Sequence, residues 1–506
     1  MSTGNPRSIP ITADQSALWL GGRSTASQRS WAFTIRGALS VTALREALTA
    51  LSARHESLRS SFAPGGKQLR LWPPTNVTLR MFTLSPTSGA EEWAVFVRDT
   101  VDIEQREPFD LTSGPMFRAG LCSDGARRHC LILSAHLLCA DQVSWSVLAS
   151  DLGTLYAEAL RGTSGLDQGS SALPHAPSFV ANNERIFEAQ TAGADSSARY
   201  WKEQFTSAPS PLDLPIDHPR TTKRVRSAAT LVRELSPDTQ RRLSEFSAHS
   251  DVDAAQTCLA ATFVLLSRLT GQDDIVVVTK SEQLSAGARA NSVGSCRPLY
   301  PLRLKLQSRD CFADVVRRVA DAYRQVESHP HVDPFALFAQ FGGVHDATRR
   351  AISTVFFGSY PEPRLSLSGL ETETHPAQPA ETDFEWKFAL VRKPTGLLFS
   401  LTYNLQLFDE AQAQLRLAEF ETLLVSALTE PSRSVSELSL LTKEEEELLA
   451  EVGVGPVDLR PDVPAHQLIE RSVARFPEAT ALEFQGTTLT YAAMDARANA
   501  LAHALV

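Results

Sequence analysis
Hydrophobic and polar positions along this chain alternate between two repeats, one spaced like a strand and one like a helix, in short blocks separated by polar or glycine-rich breaks. Residues 11–20 (ITADQSALWL) read as a capped amphipathic helix start, with Thr12 or Asp14 available as cap. Residues 31–39 (WAFTIRGAL) alternate like a strand, and residues 41–55 (VTALREALTALSARH) carry apolar side chains at helical spacing. The block at 129–152 (HCLILSAHLLCADQVSWSVLASDL) is the most informative. Residues 130–134 form a short apolar run, and Val147, Leu148 and Leu152 then share one helical face, which predicts a buried strand, a tight loop and a helix. Three polar residues, His136, Asp141 and Ser144, fall at that joint, where rigid elements can aim side chains into a cleft.

Further on, a Gly/Ser/Pro-rich stretch at 161–178 reads as a crossover between subdomains. Helices are predicted at 236–248 and 254–269, followed by residues 274–279 (DIVVVT), whose β-branched run marks a fully buried strand. Residues 351–357 form the next such strand, and 384–409 hold two alternating runs around a Pro-Thr-Gly turn. A helix to Leu428 and the segment 436–449 follow, then a Gly/Pro/acidic stretch near 453–464. Beyond it come a helix at 466–476 and a strand at 481–484.

At 506 residues the chain is too long for one core, so two or three domains are expected. A formal net charge of -9 gives no reason to expect nucleic acid or an acidic membrane as partner. The N-terminus has no apolar core for a signal peptide and no run reaches the length of a membrane span, so a cytoplasmic protein is expected. Six cysteines, at 122, 130, 139, 258, 296 and 311, are scattered without a C-x-x-C pair or a nearby His, which predicts reduced thiols and no metal site. Cys139 lies inside the key loop, but Leu138 and Ala140 beside it supply neither a base nor an electropositive setting.

His136-Leu137-Leu138-Cys139-Ala140-Asp141-Gln142 resembles the His-His-x-x-x-Asp-Gly signature of nonribosomal peptide synthetase condensation domains, with His136 on the first His and Asp141 on the Asp. The second His, usually assigned the catalytic role, is Leu137, and the Gly is Gln142. Other pieces resemble family motifs in the same order: Glu56 to Phe62 after the helix at 41–55, Pro108-Phe109-Asp110-Leu111, Tyr200-Trp201-Lys202-Glu203-Gln204-Phe205, residues 293–306, His329 to Phe335, and Tyr403 to Asp409. Leu489 to Met494 with Arg497 to Ala502 resembles the first motif of an adenylation domain.

The resemblance implies an α/β fold of two chloramphenicol-acetyltransferase-like subdomains in a V-shaped pseudo-dimer. Expected boundaries are 8–175 and 176–445 for the two subdomains, 446–465 for a linker, and 466–506 for the truncated start of an adenylation domain. It also implies an ion pair between Asp141 and Arg303, because a buried carboxylate needs a partner and Arg offers a two-pronged one. No cofactor is expected to bind directly; substrates would arrive on the phosphopantetheine arms of upstream and downstream carrier proteins, beside an adenylation domain in cis. Because the condensation motifs open the chain, the donor is expected from a separate upstream protein or as an acyl starter.

The implied reaction is amide formation by attack of a carrier-bound amine on a carrier-bound acyl thioester. Leu137 cannot act as base, and on a strand His136 would face the opposite side from Leu137. Confinement alone can still supply much of the acceleration. Three functions remain open: condensation mainly by positioning, a non-catalytic platform that docks carriers or a tailoring enzyme, and a variant chemistry such as heterocyclisation, for which only Asp141 and Ser144 match.

Overall fold
Two units divide the chain in the computed structural model, Met1–Thr442 and Lys443–Val506. Residues 6–505 are described except 21–24, 163–171, 208, 223–224, 281–291, 296–298, 330–352, 377–378 and 454–462. Cys296, most of the His329 to Phe335 motif and much of the expected crossover and linker therefore lie outside the described residues.

The larger unit is built on two main sheets. The first has five strands in the order Glu371–Pro376, Gln28–Arg36, Arg128–His136, Phe117–Ser123, Leu79–Thr83. One face carries Trp31, Phe33, Ile35, Leu131 and Leu133 and packs with residues of the helices Val41–Arg54 and Ser144–Leu160 in one core. The opposite face carries Ala32, Cys130 and Ile132 and meets Trp93, Phe96, Val97 and Val101 of the helix Ala90–Arg106. Helix Val41–Arg54 begins where Ser40 accepts the Ala43 N–H, and helix Phe179–Ala192 begins the same way at Ser178.

The second sheet has six strands, in the order Leu299–Lys305, Asp274–Lys280, Val355–Pro361, Trp386–Lys393, Gly396–Asn404, Ala228–Glu234. Ile275, Val276, Val277 and Val278 are all buried, as the β-branched run predicts for a strand covered on both faces. Above it lies the helix Ala254–Thr270, opened by a capping box between Asp253 and Gln256 and closed by Gly271, whose φ of 70° suits glycine.

Two segments cross the boundary expected at residue 175. Helix Phe179–Ala192 sends Phe179 and Val180 into the first core, and the Gln15 amide donates to Asn183 on it. Strand Glu371–Pro376 leaves the second subdomain to pair antiparallel with Gln28–Arg36, Trp31 opposite Pro376, and so covers what would be an open sheet edge. The approach to that strand buries Leu365 and Leu367 in the first core. It runs so close to helix Ser144–Leu160 that a Cβ on Gly153 would lie 2.4 Å from the Ser366 carbonyl oxygen.

The smaller unit begins with helix Lys443–Gly453, so the first part of the stretch expected as linker is helical. It continues with helix Ala465–Arg475, the hairpin Thr480–Phe484 and Thr487–Thr490, and helix Tyr491–Leu505. Neither of the last two helices buries a residue, and Phe476, Leu482, Phe484, Leu501 and Leu505 are exposed.

Candidate functional site
His136 ends the strand Arg128–His136, opposite Gln28. Alternation puts it on the face of Cys130 and Ile132, and the Gln28 amide on that face donates to the Gln105 carbonyl of the helix Ala90–Arg106. The ladder runs one step further, because the Leu137 N–H donates to the Ser27 carbonyl at 2.7 Å. Leu137, half-buried, is thereby the residue turned to the other face.

The His136 ring is 2% exposed. Its Nδ1 accepts the Leu138 N–H at 3.2 Å, which places the proton of the neutral ring on Nε2, a buried atom without a hydrogen-bond partner among the described residues. Burial holds its pKa down to about 4. An imidazole that weakly basic, on the face away from Leu137, has a packing role and is not placed to take a proton in the cleft.

Asp141 and Ser144 are brought together as the sequence predicts, but as a clasp. One oxygen of the buried Asp141 carboxylate accepts both the Ser144 N–H at 3.0 Å and the Ser144 hydroxyl at 2.6 Å, and so satisfies the first N–H of the helix Ser144–Leu160. Ser144 Oγ in turn accepts the Gly294 N–H at 3.1 Å, and the Ser295 N–H donates to the Leu138 carbonyl at 3.0 Å. Gly294 has a φ of 143°, open to glycine and strained for other residues. Two loops far apart in sequence are thus closed on each other at the signature. Ser144 donates to Asp141 and accepts from Gly294 at once, so its hydroxyl serves the clasp.

The expected ion pair between Asp141 and Arg303 does not form. Arg303 forks onto Asp274, Nε to Oδ1 at 2.8 Å and Nη2 to Oδ2 at 2.6 Å. Its Nη1 donates to the Gln204 and Ser207 carbonyls, and its remaining Nη2 donor reaches Ser207 Oγ. All five donors are used. The reason is register: Arg303 lies on the edge strand Leu299–Lys305 opposite Val276, near the end where Lys305 faces Asp274. Sequence order had brought Arg303 close to Gly294, whereas the strand carries it away.

Cys139 is buried, its thiol directed at the Met116 carbonyl at 2.9 Å and its pKa pushed up to about 12 by burial, which leaves an inert thiol. Among the described residues no group of three or more His, Cys, Asp or Glu could hold a metal ion. Residues that sequence reasoning passed over also meet at this seam. Arg29 of strand Gln28–Arg36 and Tyr360 of strand Val355–Pro361 interact electrostatically. The signal available was a lone Arg among positions that read as buried in QRSWAF.

A family model described as "Condensation domain" matches residues 7–450. The chain belongs to the condensation-domain family. Among curated proteins this condensation domain is 26% identical to malpinin synthetase of Mortierella alpina over 98% of its length, 27% identical to chondramide synthase of Chondromyces crocatus over 98%, and 26% identical to surfactin synthase subunit 1 of Bacillus subtilis over 93%. It spans 6%, 13% and 13% of those proteins.

Solved structures with the same fold include the X-domain from teicoplanin biosynthesis, with a TM-score of 0.72 and 23% identity over 87% of this chain and 99% of that one. The first condensation domain of the calcium-dependent antibiotic synthetase gives 0.70 and 21%, over 87% and 100%. A four-domain nonribosomal peptide synthetase gives 0.75 and 18%, over 97% of this chain and 38% of that one. The fold is therefore the α/β pair of chloramphenicol-acetyltransferase-like subdomains.

Proposed function
We propose that the chain joins an acyl group on an upstream carrier to an aminoacyl group on a downstream carrier, forming an amide mainly by positioning. The observation that carries this reading is the clasp: Asp141, Ser144 and Gly294 hold the signature loop together although Leu137 stands where the base belongs. Attack of a neutral amine on a thioester needs alignment of the reacting atoms and exclusion of water, and effective molarities from such confinement reach roughly 10⁵ M or more. A base adds about 10²- to 10⁴-fold to that. The substrates would be held by the phosphopantetheine arms of their carriers.

The smaller unit is read as the opening of an adenylation domain. Leu489 to Met494 and Arg497 to Ala502 carry that resemblance, and the exposed Leu482, Phe484, Leu501 and Leu505 are apolar side chains that such a domain would bury.

A second reading has its own support. The X-domain from teicoplanin biosynthesis, one of the similar folds, is known in complex with OxyB. A condensation fold without its usual base could serve likewise as a platform for a tailoring enzyme or for carriers. Heterocyclisation gains nothing from Ser144, whose hydroxyl is engaged in the clasp.

Mixing the chain with donor- and acceptor-loaded carriers and following product by mass spectrometry separates these readings. Condensed amide is expected. Carrier binding without product would favour the platform, and a product that has lost water would favour cyclisation.

A further inference from the structure
Arg29 lies opposite Ala135, on the sheet face to which Leu137 turns. Its Nη1 donates to the Gln28 carbonyl at 2.6 Å and to the Ala26 carbonyl at 3.2 Å. Among the described residues, none accepts a hydrogen bond from its Nη2 or Nε. The charged groups near it are engaged elsewhere. Asp383 acts on it only electrostatically and pairs with Arg226 at 3.3 Å, while Glu381 accepts the Ala26 N–H at 3.3 Å. Tyr360, the other electrostatic neighbour, is kept neutral by burial, which raises its pKa. Burial also lowers the pKa of Arg29 itself.

Arg29 is half-buried, and two free donors on one edge of its guanidinium plane match a carboxylate. We propose that Arg29 is a specificity-determining residue that receives a carboxylate carried by one of the two thioester-bound substrates.

Position decides between that role and stabilisation of the reacting carbonyl. The Ser27 carbonyl faces Leu137, so the next carbonyl, that of Gln28, which anchors Nη1 at 2.6 Å, points away from the strand Arg128–His136. The guanidinium thus sits on the outer side of its strand, at least a strand spacing of about 5 Å from the Leu137 position. That offset suits a group at the end of a substrate side chain or acyl chain and is too far for the carbonyl under attack.

The inference rests on the condensation reading above, and the experiment keeps the two apart. Product formation is measured with acceptor carriers loaded with aspartate or asparagine, and with donor carriers loaded with succinyl or its half-amide. In parallel, calorimetry follows binding of the matching non-hydrolysable pantetheine amides. A preference for the acidic member of about tenfold or more in kcat/KM is expected in one arm, with the same preference in affinity. Arg29→Gln should remove it, and Arg29→Lys should restore part of it with an unchanged melting temperature. Equal use of acidic and neutral members in both arms, or a preference that survives Arg29→Gln, overturns the inference. Absence of any product contradicts the condensation reading alone. Calorimetry then decides for Arg29: a carboxylate preference abolished by Arg29→Gln supports it, and no preference overturns it.

Discussion

Leu137 offers no proton acceptor in its side chain, while its backbone N–H completes the ladder to Ser27. The imidazole one residue earlier is turned to the opposite face of the sheet, that of Cys130 and Ile132. Its burial makes it a stability group. The His136 pKa is about 4 in the folded chain against an ordinary 6.5, so as pH falls the unfolded chain binds the proton first. The stability contributed by the neutral ring is complete above pH 6.5 and is lost progressively between 6.5 and 4, by up to about 3 kcal/mol. His136→Asn offers the Leu138 N–H a substitute acceptor and cannot titrate. Chemical denaturation at a series of pH values is expected to show this variant losing less stability over that range than the native chain. Parallel losses would show that folding leaves the His136 pKa where it is in the unfolded chain.

Among the elements, the edge strand Leu299–Lys305 and the strap before Glu371–Pro376 carry the most testable contacts. Arg303 and Asp274 form a two-pronged, largely buried pair, so a double-mutant cycle between Arg303→Met and Asp274→Asn is expected to give a coupling energy of about 1–3 kcal/mol. The same cycle between Arg303 and Asp141 is expected to be additive; strong coupling there would restore the pairing that the family resemblance implies. Gly153→Ala puts a methyl group 2.4 Å from the Ser366 carbonyl oxygen, which must move away. A loss of about 1–3 kcal/mol is expected, seen as a lowered unfolding midpoint, and an unchanged midpoint would mean that the strap is free to shift.

These elements also show what was legible in the chain. Strands such as Asp274–Lys280 and helices such as Val41–Arg54 and Ala254–Thr270 announce themselves because burial on one or both faces writes a period into the residues. So does the strand, loop and helix that place His136, Asp141 and Ser144. The partner of Arg303 was not legible, because strand register is a long-range property. Asp274 and Arg303 come together only through the antiparallel pairing of their strands. The return of Glu371–Pro376 to the first sheet was hidden for the same reason. Arg29 escaped notice because a single charge in a strand carries no periodic signal.

At the scale of the whole molecule, the two sheets with their helices reproduce the condensation fold, and the clasp at Ser144 and Gly294 ties loops far apart in sequence at the place where the family signature lies. Scaffold and base are separable in such a design: one is made by hundreds of residues, the other by a single side chain. The measurement that bears on this most directly compares the native chain with Leu137→His in single-turnover reactions between loaded donor and acceptor carriers, read by mass spectrometry. Slow formation of amide by the native chain is expected, together with an acceleration of about 10²-fold or more on restoring the imidazole. No product from either protein, with both carriers bound and the fold intact, would contradict it.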